Sequence, residues 1–296
     1  MKFACLFTIL PTFLFFFSCT QKTTLQDLEA DIKTTFAEEE GTFALAFKDL
    51  NTGETILINE RDSFHAASTM KTPVLIELYK QAEAGKFSLS DSIVVKNEFT
   101  SIVDSSTFSL SIDDDSESEL YQMVGSKQTI AQLAYDMIIA SSNLATNVVI
   151  ELVDAKKVTQ TMRELGASEI NVLRGVEDIK AYELGLSNST TAYDLLVIFE
   201  KLAKGEVVSP KASEEMINIL LDQKFRDIIP ALLPEEVIVA NKTGSITAVH
   251  HDSGIVFLAD GRKYVLIILS KELGDFDSGT HIMAKVSRMI YDYLNQ

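Results

Sequence analysis

Apolar residues recur at helical spacing at Leu25, Leu28, Ile32 and Phe36, predicting a helix over 25–40 that Gly41 ends. Thr42–Asp49 and Thr55–Asn59 read as two strands joined through Asn51-Thr52-Gly53, a hairpin signal. Thr72-Pro73-Val74-Leu75-Ile76-Glu77-Leu78 opens a helix that runs to about Ala84, with Gly85 at its end. Pro73 is tolerated because first-turn amides have no intrahelical acceptor. From Leu89 to Lys127 the periodicity is poor. Thr129–Ala140, Ser141–Val153 and Val158–Leu165 carry helical patterns, and Glu169–Ser189 reads as a long ordered loop. Helices are again predicted over Thr190–Ala203 and Pro210–Leu221. Val237–Ala240, Gly254–Ala259 and Lys263–Ser270 are strands rich in Val and Ile, and Gly279–Leu294 is a closing helix.

This order predicts an α/β protein: a five-stranded, mainly antiparallel sheet flanked by the terminal helices, plus an all-α lobe. The expected lobes are residues 25–66 with 205–296, and residues 67–204, with a cleft between them.

Charge narrows the partners. The chain has 43 acidic and 26 basic residues among 296, a net charge of −17, and a field of that sign repels nucleic acid. Residues 1–18 read as a signal peptide, with Lys2 as its positive end and Ala4 to Phe17 as its apolar stretch. Phe16-Phe17-Ser18-Cys19 resembles a bacterial lipoprotein signal, which implies cleavage before Cys19, lipid on its thiol, and 19–24 as a tether. The one other cysteine, Cys5, lies in the leader, so a disulfide framework, a Cys metal site and a cysteine nucleophile are all excluded from the mature domain.

Candidate chemistry begins at Phe64-His65-Ala66-Ala67-Ser68-Thr69-Met70-Lys71. Ser68 stands at a helix start, where the dipole favours developing negative charge, and Lys71 follows on the same face. A lysine dried enough to lose its proton can deprotonate such a serine. Taken singly, Ser68-x-x-Lys71 reads first as a helix cap beside a surface lysine. Ser141-Ser142-Asn143 and Asn241-Lys242-Thr243-Gly244-Ser245 follow in order, each at a helix or strand end. Histidines 65, 250, 251 and 281 form no cluster, and His250 and His251 should point to opposite faces of a strand, so no metal site is expected. Ile112 to Glu119 is an acidic run; it lacks the glycine of a calcium loop and reads as solvated.

The three motifs, in that order, resemble the serine penicillin-recognising enzymes, and Phe64–Leu78, Met137–Val149 and Val239–Gly254 resemble class A β-lactamases. The resemblance implies a serine β-lactamase working through an acyl-enzyme on Ser68, without a cofactor, as a periplasmic monomer. Lys71 would take the Ser68 proton, and Ser141 would pass one to the leaving nitrogen. Asn143, Lys242, Thr243 and Ser245 would hold substrate, Gly244 would leave room for it along the strand, and the amides of Ser68 and Ser245 would form the oxyanion hole. Arg226 and Lys271 are candidates for a second cation. Glu177 is the candidate deacylating base and Glu183 the next; Asn147 would brace their loop. Arg174 lies three residues before Glu177 rather than the family's two, a spacing that would put Val176 in the glutamate's place, and Ser142 replaces an aspartate. These departures keep a related D-Ala-D-Ala peptidase or a slowly deacylating penicillin-binding lipoprotein open as alternatives.

Overall fold

A computed structural model describes residues 22–296. The expected signal peptide, Cys19 and residues 20–21 of the expected tether lie outside the described residues. Five strands form one antiparallel sheet: β1 (Thr42–Asp49), β2 (Thr55–Ile58), β3 (Ile238–Ile246), β4 (Val249–Phe257) and β5 (Lys263–Lys271). Their spatial order is β2-β1-β5-β4-β3. The helices are α1 (Leu25–Phe36), α2 (Lys71–Glu83), α3 (Ile130–Ile139), α4 (Asn143–Val153), α5 (Ala155–Leu165), α6 (Ile179–Glu183), α7 (Ala192–Ala203), α8 (Pro210–Leu221) and α9 (Phe276–Leu294).

The period of two along the strands divides the core. Phe43, Leu45 and Phe47 of β1 and Tyr264, Leu266 and Ile268 of β5 face one way, packing with Leu28, Ile32 and Phe36 of α1 and the inner stripe of α9. Ala44 and Ala46, with Val265, Ile267 and Leu269, face the other, toward α7 and the remaining helices. The small alanines let α7 lie close on the sheet. Thr24 and Asp27 form a capping box that fixes where α1 begins.

Several expected boundaries shift, for local reasons. The third strand does not end at Ala240: Asn241–Ile246 continues it, because β4 pairs with it along its whole length. Polar residues beyond the expected strand end, Lys242 and Thr243 included, are therefore buried within the sheet. β4 likewise starts at Val249, taking in His250, His251 and Asp252. The helix expected from Ser141 starts at Asn143, with Ser142 as its cap, and that expected from Thr190 starts at Ala192, capped by Thr191. The 169–189 loop contains the short α6, capped by Asp178.

Candidate active site

Ser68 lies in a short 3-10 turn, Ala67–Met70, that leads directly into α2. Ala67 enters it with φ +44°. β3 runs directly against this turn: a Cβ on Gly244 would come within 2.9 Å of the amide nitrogens of both Ser68 and Thr69. Gly244 thus makes room for the serine-bearing backbone itself, a closer constraint than the expected clearance for substrate. The Ser68 amide makes no hydrogen bond among the described residues, and Ser68 lines the cleft.

The Lys71 ammonium is fully buried and donates to the Ser141 carbonyl (2.6 Å), to Ser141 Oγ (3.2 Å) and to Asn143 Oδ1 (2.9 Å). No hydrogen bond joins it to Ser68 Oγ among the described residues. Lys242, equally buried, donates to Ser141 Oγ at 3.0 Å and to the Thr243 carbonyl at 2.8 Å. One hydroxyl therefore sits between two ammonium groups, on a residue held at φ +55°. Burial lowers the Lys71 pKa to about 7, against the opposing charges of Asp115 and Glu177. Burial, and then the charge of Lys71, pushes Lys242 well below the ordinary lysine range.

Asn143 is the hub of the opposite wall. Its Oδ1 accepts from Lys71 and its Nδ2 donates to Glu177 Oε1 at 3.3 Å. Asn147, one turn on and 2% exposed, clasps the loop: its Oδ1 accepts the Val176 amide at 2.7 Å and its Nδ2 donates to the Val176 carbonyl at 3.0 Å. Val176 thus spends its backbone on the clasp, and Glu177, at φ +63°, turns its carboxylate toward Asn143. Burial raises the Glu177 pKa and Asp114 adds to this, while Lys71 and Arg174 oppose it. Among the described residues no ion pair joins Glu177 to Arg174, whose guanidinium donates instead to the carbonyls of Leu186 and Gly175. Glu183 is exposed and lies outside the cleft.

The cleft, a cavity of about 250 Å³, is lined by Ser68, Ser141, Asn143, Thr243, Gly244 and Ser245, together with Asp114, Phe225, Asp227 and His250. A second lobe of about 390 Å³ reaches from Ser68 and Asn143 past Glu177 to Tyr182. Neither Arg226 nor Lys271 lines either space; Lys271 donates to the Ser63 carbonyl and covers the Phe64 ring. His250 and His251 do point oppositely. His250 lines the cleft, stacked on Phe276, while His251 is buried with Nε2 on the His65 carbonyl at 2.9 Å.

Residues 27–294 match the sequence model of the β-lactamase enzyme family. The chain belongs to that family. It is 23% identical to β-lactamase PSE-4 of Pseudomonas aeruginosa over 305 residues, covering 99% of this chain and 98% of that one. Among solved structures it resembles a β-lactamase from Sphaerobacter thermophilus (TM-score 0.76, 24% identity, 90% of this chain and 97% of that one). It also resembles PBP-A (TM-score 0.78, 25% identity, 92% of this chain and 97% of that one).

Most of the acidic run is exposed, as expected of a solvated loop, but half-buried Asp115 departs from that expectation. Asp115 is not a solvated charge: its carboxylate accepts the amides of Asn143 and Leu144 and the Tyr121 hydroxyl. Nothing in local periodicity reveals a contact made 28 residues away. Asp252 was also missed; fully buried on β4, it accepts from Asn241 Nδ2 of β3 and from the amides of Ile229 and Ser253. Gly175 is the third omission. A Cβ there would lie 2.2 Å from Asn147 Oδ1.

Proposed function

We propose that this family member hydrolyses the amide bond of a β-lactam ring through an acyl-enzyme on Ser68. The observation that carries the reading is Ser141 Oγ held between the buried ammonium groups of Lys71 and Lys242, beside a serine whose amide is unspent. With its pKa near 7, Lys71 is partly neutral at neutral pH and takes the Ser68 proton, directly or through a water molecule. Ser68 Oγ bonds to the lactam carbonyl carbon, and the oxyanion rests on the amides of Ser68 and Ser245. As the carbon–nitrogen bond breaks, Ser141 passes a proton to the nitrogen and is resupplied from the lysines. Lys242, Thr243 and Ser245 hold the substrate carboxylate, and Asn143 meets its side-chain amide. Glu177 then removes a proton from water as that water attacks the acyl carbon, and Ser68 Oγ leaves with the returned proton.

A relative supports the acylation step beyond geometry. A mutant of PBP-A, to which this chain is 25% identical with a TM-score of 0.78, forms an acyl-enzyme complex with penicillin G. That likeness, and the three-residue spacing from Arg174 to Glu177, favour one second reading: acylation followed by slow release, as in a penicillin-binding protein. We also propose export with a lipid on Cys19, monomeric action, and catalytic lobes of 25–66 with 205–296 and 67–204. No helix among the described residues is long and apolar enough to cross a membrane.

Nitrocefin separates the readings. The wild type is expected to turn it over continuously and Ser68→Ala not at all. A single stoichiometric burst would favour the penicillin-binding reading, and inertness of the wild type toward several β-lactams would remove both.

A further inference from the structure

The first amides of a helix have no intrahelical acceptor, and the end that bears them is positive. On α4 these amides are shared between two caps. Ser142 Oγ accepts from Ala145 at 3.2 Å. Asp115, from the acidic run between α2 and α3, accepts from Asn143 (3.0 and 2.9 Å to its two oxygens) and from Leu144 (2.9 Å). The Tyr121 hydroxyl donates to the same carboxylate at 3.0 Å, and the Glu117 amide at 3.2 Å. The residue whose backbone Asp115 grips is the one whose side chain bridges Lys71 and Glu177.

We propose that Asp115 is a positioning residue of the Ser68 site: its carboxylate fixes the backbone of Asn143, and so the bridge from Lys71 to Glu177. It also supplies, from a distant loop, the negative charge at the start of α4 that neutral Ser142 does not carry.

The charged groups around Lys71 are Asp115 at the start of α4, Glu177 across Asn143, and Lys242 beyond Ser141; Asp114 adds its charge to the surroundings of Glu177. Burial lowers Lys71, and Asp115 is the larger of the two charges opposing that. Removing Asp115 therefore moves Lys71 further down. Glu177, which Asp115 holds up, moves down with it. Lys71 must be neutral, and Glu177 ionised, to accept protons. Both changes shift the acid limb of the activity profile to lower pH.

The kinetic half of the test rests on the β-lactamase reading; the other half does not. Nitrocefin kcat/KM is measured against pH for wild type, Asp115→Asn, Asp115→Ala and Asp113→Asn, an exposed neighbour in the same run. Lys71 itself is titrated by carbon NMR in lysine-labelled protein, its signal assigned with Lys71→Arg. We expect both Asp115 variants to lose about tenfold or more in kcat/KM, as misplaced catalytic groups do, with an acid limb at lower pH. The Lys71 midpoint should fall in both, and neither change should appear in Asp113→Asn. Ser142→Asp, returning a carboxylate to the same helix end, should recover part of the loss in Asp115→Ala. An unmoved Lys71 midpoint in Asp115→Asn, or an equal shift in Asp113→Asn, overturns the proposal whatever the activity. A lowered midpoint in a protein inert toward nitrocefin supports the positioning role and overturns the β-lactamase reading instead.

Discussion

Gly175→Ala tests the loop clasp with a single methyl group. The new Cβ would lie 2.2 Å from Asn147 Oδ1, 2.9 Å from its Cγ and 3.3 Å from Ile150 Cγ2. Asn147 cannot swing aside freely, because it is buried on α4 and bonded to both the amide and the carbonyl of Val176. Relief therefore costs those two bonds. At a net 0.5–1.5 kcal/mol each, the loss is about 1–3 kcal/mol, most of it local to the loop. Val176 is released, and Glu177 beside it loses its fixed approach to the cleft. Displacement of a catalytic group by about 1 Å costs about 100-fold, so deacylation should slow by about that factor. Acylation, built on Ser68, Lys71 and Ser141, should keep its rate. Stopped-flow acylation with a chromogenic cephalosporin and intact-mass decay of the adduct read the two steps separately. Deacylation at the wild-type rate in a folded Gly175→Ala protein would refute the claim that this clasp sets Glu177. So would an equal loss in both steps.

Other consequences follow from the sheet. In Gly244→Ala the Cβ meets backbone nitrogens of the Ser68 turn, which cannot rotate away, so overpacking of about 1–3 kcal/mol should lower the melting temperature. Acylation should fall by about 100-fold or more; a near-wild-type acylation rate would contradict the contact. His251 is buried and its pKa is pushed down to about 4, so its stabilising contribution is present above its ordinary 6.5 and lost as pH falls through 4. Asp252 acts oppositely: burial raises it to about 6, so its contribution is present below 3.8 and lost as pH rises through 6. Urea unfolding of His251→Gln relative to wild type should therefore improve by about 3 kcal/mol between pH 6.5 and 4. A difference that stays constant over that range would refute the buried neutral histidine.

The parts of the site carried by short motifs were legible, because Ser68 and Lys71, Ser141 and Asn143, and Lys242 to Ser245 follow one another in an order that resembles a known family. The sheet was legible where strands alternate in hydrophobicity. It was not legible over Asn241–Ile246 and Val249–Asp252, where pairing between two neighbouring strands, rather than apolar side chains, keeps polar residues extended and buried. Spacing also does not encode the backbone geometry of the loop: a clasp on Val176 and a left-handed φ that turns the Glu177 carboxylate toward Asn143. Asp115 was hidden for another reason. Its partners are backbone amides, which have no signature in sequence, and its own surroundings are acidic and aperiodic.

The central claim is that Ser68 is acylated and that Glu177 releases the acyl group. Intact-mass spectrometry over time with a penicillin, on wild type and Glu177→Gln, tests it most directly. The wild type should consume the penicillin while showing little adduct, and Glu177→Gln should accumulate one stable penicilloyl group that Ser68→Ala abolishes. Rapid turnover by Glu177→Gln would contradict the role of Glu177, and an adduct that persists in Ser68→Ala would contradict the role of Ser68.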